Sequence, residues 1–273
     1  MERRGRGWCV GVLLLGLLVS MSAGAVAETD EGSGGSVLPV IEFCEGSEQA
    51  PFYDRGTAHA EAIDCLSSML SADGEPIIRG FDENRFGTGD DVSRAAFASL
   101  IHRLLRAADV PLLPEVGEHP FVDVGDDNPH REAIGALFEA GLLNGVGGDR
   151  FAPHGRLSRA QAASVMERVL TDVGGDQIEE ASSPFLDLGQ THGPSIEALY
   201  SIGIVAGIES DRFGYTEPLQ RGQAVTALTR VGQRLLDLGV WDTPIESGEE
   251  PPTTPGPGPL PDAEDPEDAL VRP

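Results

Sequence analysis

Positive charge is scarce in this chain: 19 Lys and Arg stand against 45 Asp and Glu, a formal net charge of −26 over 273 residues. Nucleic-acid binding rests on basic patches that neutralise phosphates, so that class of partner is not expected. Acidity on this scale keeps a protein soluble and by itself specifies no function. Cysteine is nearly absent, with three residues. No long hydrophobic run is present: the apolar stretch from Trp8 through Val19 falls short of the roughly 20 residues a membrane-spanning helix needs. Catalytic signatures are missing too, with no nucleophile elbow, metal-ligand spacing or Gly-rich phosphate loop. The acidic pairs Asp90-Asp91 and Asp126-Asp127 sit in turn-like contexts where solvation is the default. The chain is expected to be no enzyme and to need no cofactor or metal.

The ends read as processing and linker segments. Arg3, Arg4 and Arg6 precede the apolar run, and Ala25-Val26-Ala27 forms a small-residue cleavage site, so residues 1–27 are expected to be a secretory signal. Its removal, with Glu2, takes the net charge to −28. Residues 28–49 form a Gly, Ser and acid rich flexible leader, and residues 241–273 a Pro and acid rich disordered tail. The tail shows neither a terminal hydrophobic anchor nor a sortase-type signal, Leu260-Pro261 being followed by Asp262-Ala263. After cleavage the protein is expected not to span a membrane. Cys9 leaves with the signal; Cys44 and Cys65 remain, and outside the cytoplasm two thiols usually pair. Closing that loop would contribute up to about 3 kcal/mol; metal ligation by the two Cys is the alternative.

What is present is a repeat. Pro-Phe-x-Asp occurs as Pro51, Phe52 and Asp54, then Pro120, Phe121 and Asp123, then Pro184, Phe185 and Asp187. A His stands four residues before an Ile at His59, His130 and His192. A Gly, a Phe, a branched aliphatic and an Arg then recur at identical spacing: Gly80, Phe86, Val92, Arg94; Gly145, Phe151, Leu157, Arg159; Gly207, Phe213, Leu219, Arg221. Copy one carries a turn-rich insertion around Ser71 to Pro76.

Each copy reads as helix, loop, helix. Asn128 and Pro129 are expected to cap and open a helix whose apolar face is Ile134, Leu137 and Phe138. Gly141 and Gly203 suit helix C-termini. Ser93 and Ser158 are expected N-caps of the second helices, Ser158 with Gln161 as a capping box. One such pair has too little interior to fold alone, so three should share a core. The expected fold class is all-α, with three helix-loop-helix units at residues 50–117, 118–181 and 182–240 in a pseudo-threefold arrangement between disordered termini.

Phe121-Val122-Asp123-Val124, the Gly145 to Pro153 loop and Ser158-Arg159-Ala160-Gln161 resemble the S-layer homology (SLH) repeat, and copies one and three share the pattern in looser form. That resemblance implies a three-pronged helical module of a secreted protein at the bacterial cell wall or cell surface. It would bind secondary cell-wall polysaccharide or a peptidoglycan-linked glycan in grooves between repeats. Carried over residue by residue, the groove residues it implies are Asp54, Arg94, Asp123, Arg159, Asp187 and Arg221. A protein-interaction scaffold at the cell surface is the alternative. An Arg at the first helical position opposes the helix dipole, so local stability does not account for it in all three copies. It suits a carboxylate ligand, or an ion pair with the Phe-x-Asp carboxylate of its own or an adjacent repeat. The Trp that this family commonly carries before the first helix is replaced by His59, His130 and His192. Each His could hydrogen-bond a sugar or cap its own helix.

Overall fold

The computed structural model describes residues 42–44, 46–71, 74–110, 119–179 and 181–241. The expected signal, the leader up to residue 41 and the tail beyond 241 lie outside these residues. Among the described residues there are six α-helices and no β-strand: α1 (Ala60–Ser68), α2 (Arg94–Ala107), α3 (Arg131–Glu139), α4 (Arg159–Arg168), α5 (Gly193–Ser201) and α6 (Arg221–Asp237). The all-helical expectation holds.

Local chemistry sets the helix limits. Ser93 accepts from Ala96 N at 3.1 Å, and Ser158 and Gln161 close a reciprocal capping box at the start of α4. Gly141 and Gly203 follow α3 and α5 at φ +74° and +76°, a left-handed turn that carries no penalty without a Cβ. One boundary differs from the sequence reading. Asn128 does not cap α3; its Oδ1 accepts from His130 N at 2.9 Å in a turn of its own, and the helix starts at Arg131 with His130 at the cap position. α4 continues through a π-turn, Val169–Val173, before the chain leaves toward α5.

The second helix of each unit packs on the first helix of the next: α2 on α3, α4 on α5, and α6 back on α1. The ring therefore closes. Its axis is marked by the repeated aliphatic, where Val92 N donates to Leu219 O, Leu219 N to Leu157 O and Leu157 N to Val92 O at 2.8–3.0 Å. All three side chains are buried, as are Phe86, Phe151 and Phe213 at 0–1% exposure. A continuous core runs through all three units, so each helix pair buries the face it could not bury alone.

The closing contact between α6 and α1 has an additional cover. Phe43 sits on Gly232 of α6, meets Trp241 edge-on at 4.8 Å, and donates its amide to Gln233. The Cys44–Cys65 disulfide ties this segment to α1. Asp176, buried, receives both Nε and Nη2 of Arg234 at 2.7 and 2.9 Å, fixing the segment after α4 to α6.

Candidate functional site

The Phe-x-Asp carboxylates are fixed by backbone. Asp54 accepts from Phe86 N and Gly87 N at 2.7 Å, Asp123 from Phe151 N and Ala152 N at 2.8 and 2.9 Å, and Asp187 from Phe213 N, Gly214 N and Tyr215 N at 2.7–3.0 Å. Partial burial would raise these carboxyls, but the amide donors outweigh it and hold all three below the usual carboxylate value. Both oxygens of each Asp thus pin the central loop of its own unit.

The motif arginines reach forward into the next unit. Arg94 donates from Nε to Phe151 O and from Nη2 to Asn144 O, both at 2.8 Å. Arg159 does the same to Phe213 O at 2.9 Å and Ala206 O at 2.6 Å, and Arg221 to Phe86 O at 3.1 Å and Arg79 O at 2.9 Å. Each guanidinium lies 4.5–4.7 Å from the centre of the Phe ring whose carbonyl it holds. Arg94, Arg159 and Arg221 also sit within electrostatic reach of Asp123, Asp187 and Asp54 of that next unit, but no N···O contact between them falls within 4 Å. Burial lowers all three guanidinium pKa values, that of Arg159 to about 10, and all remain cations at neutral pH. The position that looked unfavourable on its own helix is therefore a latch between units.

Two further residue sets occupy the same places by threefold repetition. Five positions after each motif Arg stand Ser99, Ser164 and Thr226; nine positions after stand Arg103, Arg168 and Arg230. The hydroxyls meet the recurring histidines: Ser99 with His130 at 2.7 Å, Ser164 with His192 at 2.8 Å and Thr226 with His59 at 2.8 Å, in each case through Nδ1. None of the three His caps its own helix by side chain. Arg168 Nη1 donates to Leu142 O and Arg230 Nη1 to Ile204 O, both at 3.2 Å. These two sets were readable as fixed spacings in the sequence, but nothing there tied them to the His of the following unit.

Around the middle loop these groups line one cleft of about 370 Å³, with Arg94, Asn144, Gln161, Ser164, Arg168 and His192 on its walls. The same placement puts Arg159, Thr226, Arg230 and His59 about the third loop, and Arg221, Ser99, Arg103 and His130 about the first. The chain contains no Lys, so all 19 basic residues are Arg. Among the described residues, eight arginines form ion pairs with carboxylates, including Arg85 with Asp90 and Arg212 with Glu209 and Glu217. The six cleft arginines, 94, 103, 159, 168, 221 and 230, have no carboxylate within 4 Å among the described residues. In a chain this acidic, the cleft and the two equivalent places concentrate cationic donors with no carboxylate within 4 Å among the described residues, which suits a carboxylate or phosphate ligand.

Burial is the main cause that lowers the pKa of His59, His130 and His192, and the neighbouring Arg230, Arg103 and Arg168 add to it. An unfolded His titrates near 6.5, so the stability these neutral rings contribute is complete above about pH 6.5 and is lost as pH falls through that value toward the folded pKa. The melting temperature of the unliganded protein is expected to fall between about pH 7.5 and about pH 5. A His59→Gln, His130→Gln, His192→Gln variant should lose most of that slope. A wild-type profile that is flat over the same interval would count against three neutral, half-buried imidazoles.

Residues 120–163 match the S-layer homology domain model. The matched residues run from the Phe-x-Asp start of the middle unit into α4, so the matched segment contains the carboxylate pin Asp123, the loop and the latch Arg159. The chain is also similar to a "Cell surface protein" of Thermoanaerobacter kivui, 30% identical over 117 residues, 41% of this chain and 15% of that protein. It is 26% identical over 165 residues to "Cell surface glycoprotein 1" of Acetivibrio thermocellus, 58% of this chain and 7% of that one. The "Surface-layer 125 kDa protein" of Lysinibacillus sphaericus is 28% identical over 147 residues, 54% of this chain and 11% of its own length. The chain thus spans under a fifth of the length of each of these relatives.

Proposed function

We propose that this is a secreted cell-surface protein that attaches non-covalently to the cell wall through the clefts between its units. The units at residues 50–117, 118–181 and 182–240 are then three S-layer homology repeats, exported by the signal at residues 1–27. The ligand is secondary cell-wall polysaccharide or a peptidoglycan-linked glycan that carries anionic groups. The observation that carries this reading is the set of six arginines with no carboxylate within 4 Å among the described residues, repeated in pairs about three loops. Arg94, Arg159 and Arg221 each keep Nη1 free of hydrogen bonds within the described residues, available for the ligand while Nε and Nη2 hold the fold. Asp54, Asp123 and Asp187 act in the same groove by holding its loop in shape. Co-sedimentation of the mature protein with purified wall sacculi tests this, before and after the attached polysaccharide is stripped. Binding is expected to vanish on stripping; binding that survives it contradicts the polysaccharide version.

A protein-interaction scaffold is the second reading, and one observation favours it. The residue between Phe and Asp is a large apolar side chain left open in every copy: Tyr53, Val122 and Leu186 are 75%, 72% and 84% exposed. If that reading holds, a Tyr53→Ser, Val122→Ser, Leu186→Ser variant loses surface retention while its binding to isolated sacculi is unchanged.

A further inference from the structure

His59, His130 and His192 stand at the cap positions of α1, α3 and α5, yet each turns its Nδ1 to a hydroxyl on the second helix of the preceding unit. That bond fixes the ring at the wall of the cleft, and Nε2 of each has no hydrogen-bond partner among the described residues. The groups that face the rings are cationic or neutral. His59 meets Thr226, Arg230 and the backbone of Gly222 on α6. His130 meets Ser99 and Arg103 on α2, and His154 from the loop before α4. His192 meets Ser164 and Arg168 on α4 and the Tyr215 ring at 5.9 Å, while Ser195 shares Ser164.

A neutral imidazole beside a guanidinium that has no carboxylate within 4 Å among the described residues resists protonation until a further negative charge enters the cleft. We infer that each of these histidines is a proton-linked contact of its cleft. An anion seated between the arginines draws one proton from solvent onto the ring, and Nε2 then donates to that anion. Binding and protonation are coupled reciprocally, so mild acid tightens attachment and each occupied cleft takes up a proton. The inference rests on the wall-attachment reading for the source of the anion, but not for the proton coupling itself. The ligand class is a carboxylate, phosphate or sulfate group on a polymer.

The coupling can be read without the polymer. Sulfate stays doubly charged across the range in which His titrates, about pH 5 to 8. An NMR titration of the His ring carbons is run in sodium sulfate and in sodium chloride of equal ionic strength, which equalises screening. Sulfate is expected to raise the apparent pKa of His59, His130 and His192 and to leave His119, bonded to Arg131 at 2.7 Å, unmoved. No selective rise in the three overturns the inference. In a second arm, wild-type affinity for intact sacculi should increase about tenfold, the equivalent of one pKa unit, from about pH 8 to about pH 5. The His59→Gln, His130→Gln, His192→Gln variant, which keeps a side chain able to reach the hydroxyls, should show no slope between about pH 8 and about pH 5, whatever its affinity at the upper end. A variant that keeps the slope overturns the inference while wall attachment stands. Sulfate-induced rises without sacculus binding at any pH support the coupled clefts and remove the wall as their ligand source.

Discussion

Asp187→Ala is expected to destabilise the protein by about 3–5 kcal/mol, because hydrogen bonds to a charged acceptor contribute about 1.5–3 kcal/mol each and do not add fully. Its carboxylate takes three successive amides, Phe213, Gly214 and Tyr215, which have no other acceptor among the described residues. Losing them frees the loop that presents Phe213 to the core and the Phe213 carbonyl to Arg159, so the damage reaches the junction between units two and three. Equilibrium unfolding by urea measures the loss directly, and the melting temperature should fall by roughly 6–20 °C. Asp187→Asn, able to accept but not with two charged oxygens, should fall between wild type and the Ala variant. The sign of the pH dependence follows from the lowered carboxyl. The contribution is fully present above about pH 4 and disappears as the folded carboxyl protonates below that, so the Ala variant should lose this acid-labile part. A loss below about 1 kcal/mol in Asp187→Ala would mean that the loop holds its shape without the pin.

Gly145→Ala is expected to cost about 3 kcal/mol or more, above the ordinary range for one added methyl in a packed site. A Cβ there would lie 2.5 Å from the Arg150 carbonyl oxygen and 2.7 Å from the Phe121 ring. The oxygen is backbone and accepts from Val146 N at 2.9 Å, so it cannot step aside as a flexible side chain would. Gly80 and Gly207 meet the equivalent obstacle in their own units, with Phe52 and Phe185 at 2.5 Å. Gly141 is the contrast. It adopts φ +74° with open space around its missing Cβ, so Gly141→Ala should cost only the penalty of a left-handed residue, about 1–2 kcal/mol. Comparing the two variants in the same unfolding experiment separates a glycine kept for space from one kept for conformation.

Much of the fold was legible because the repeat displayed the same physical need three times. Gly145, Phe151, Leu157 and Arg159 recur because each unit needs close approach under Phe121, a buried ring, an axial strand of backbone and a latch. The caps Ser93 and Ser158 and the left-handed Gly141 and Gly203 were local features, and local features are what a single sequence carries well. The partners were not legible. In a closed ring a side chain can reach its own unit or the next with equal ease, and spacing is silent about which. Arg94, Arg159 and Arg221 reach forward to backbone carbonyls, which no pattern of charged residues could announce. The start of α3 was missed for a related reason. Asn128 and Pro129 have cap chemistry, but Asn128 uses it in a turn that closes on the amide of His130, whose own side-chain partner, Ser99, lies in the preceding unit.

The motif arginines hold the units together, so replacing Arg94, Arg159 and Arg221 would mix loss of binding with loss of fold. The second set does not latch units and gives a cleaner probe. The measurement that bears most directly on wall attachment is the affinity of an Arg103→Gln, Arg168→Gln, Arg230→Gln variant for sacculi with their polysaccharide intact, compared with wild type at equal melting temperature. Loss of one guanidinium from each cleft should weaken binding about 100-fold or more, since a single charge-assisted hydrogen bond contributes about 1.5–3 kcal/mol. Equal affinity of the variant and wild type would contradict the account.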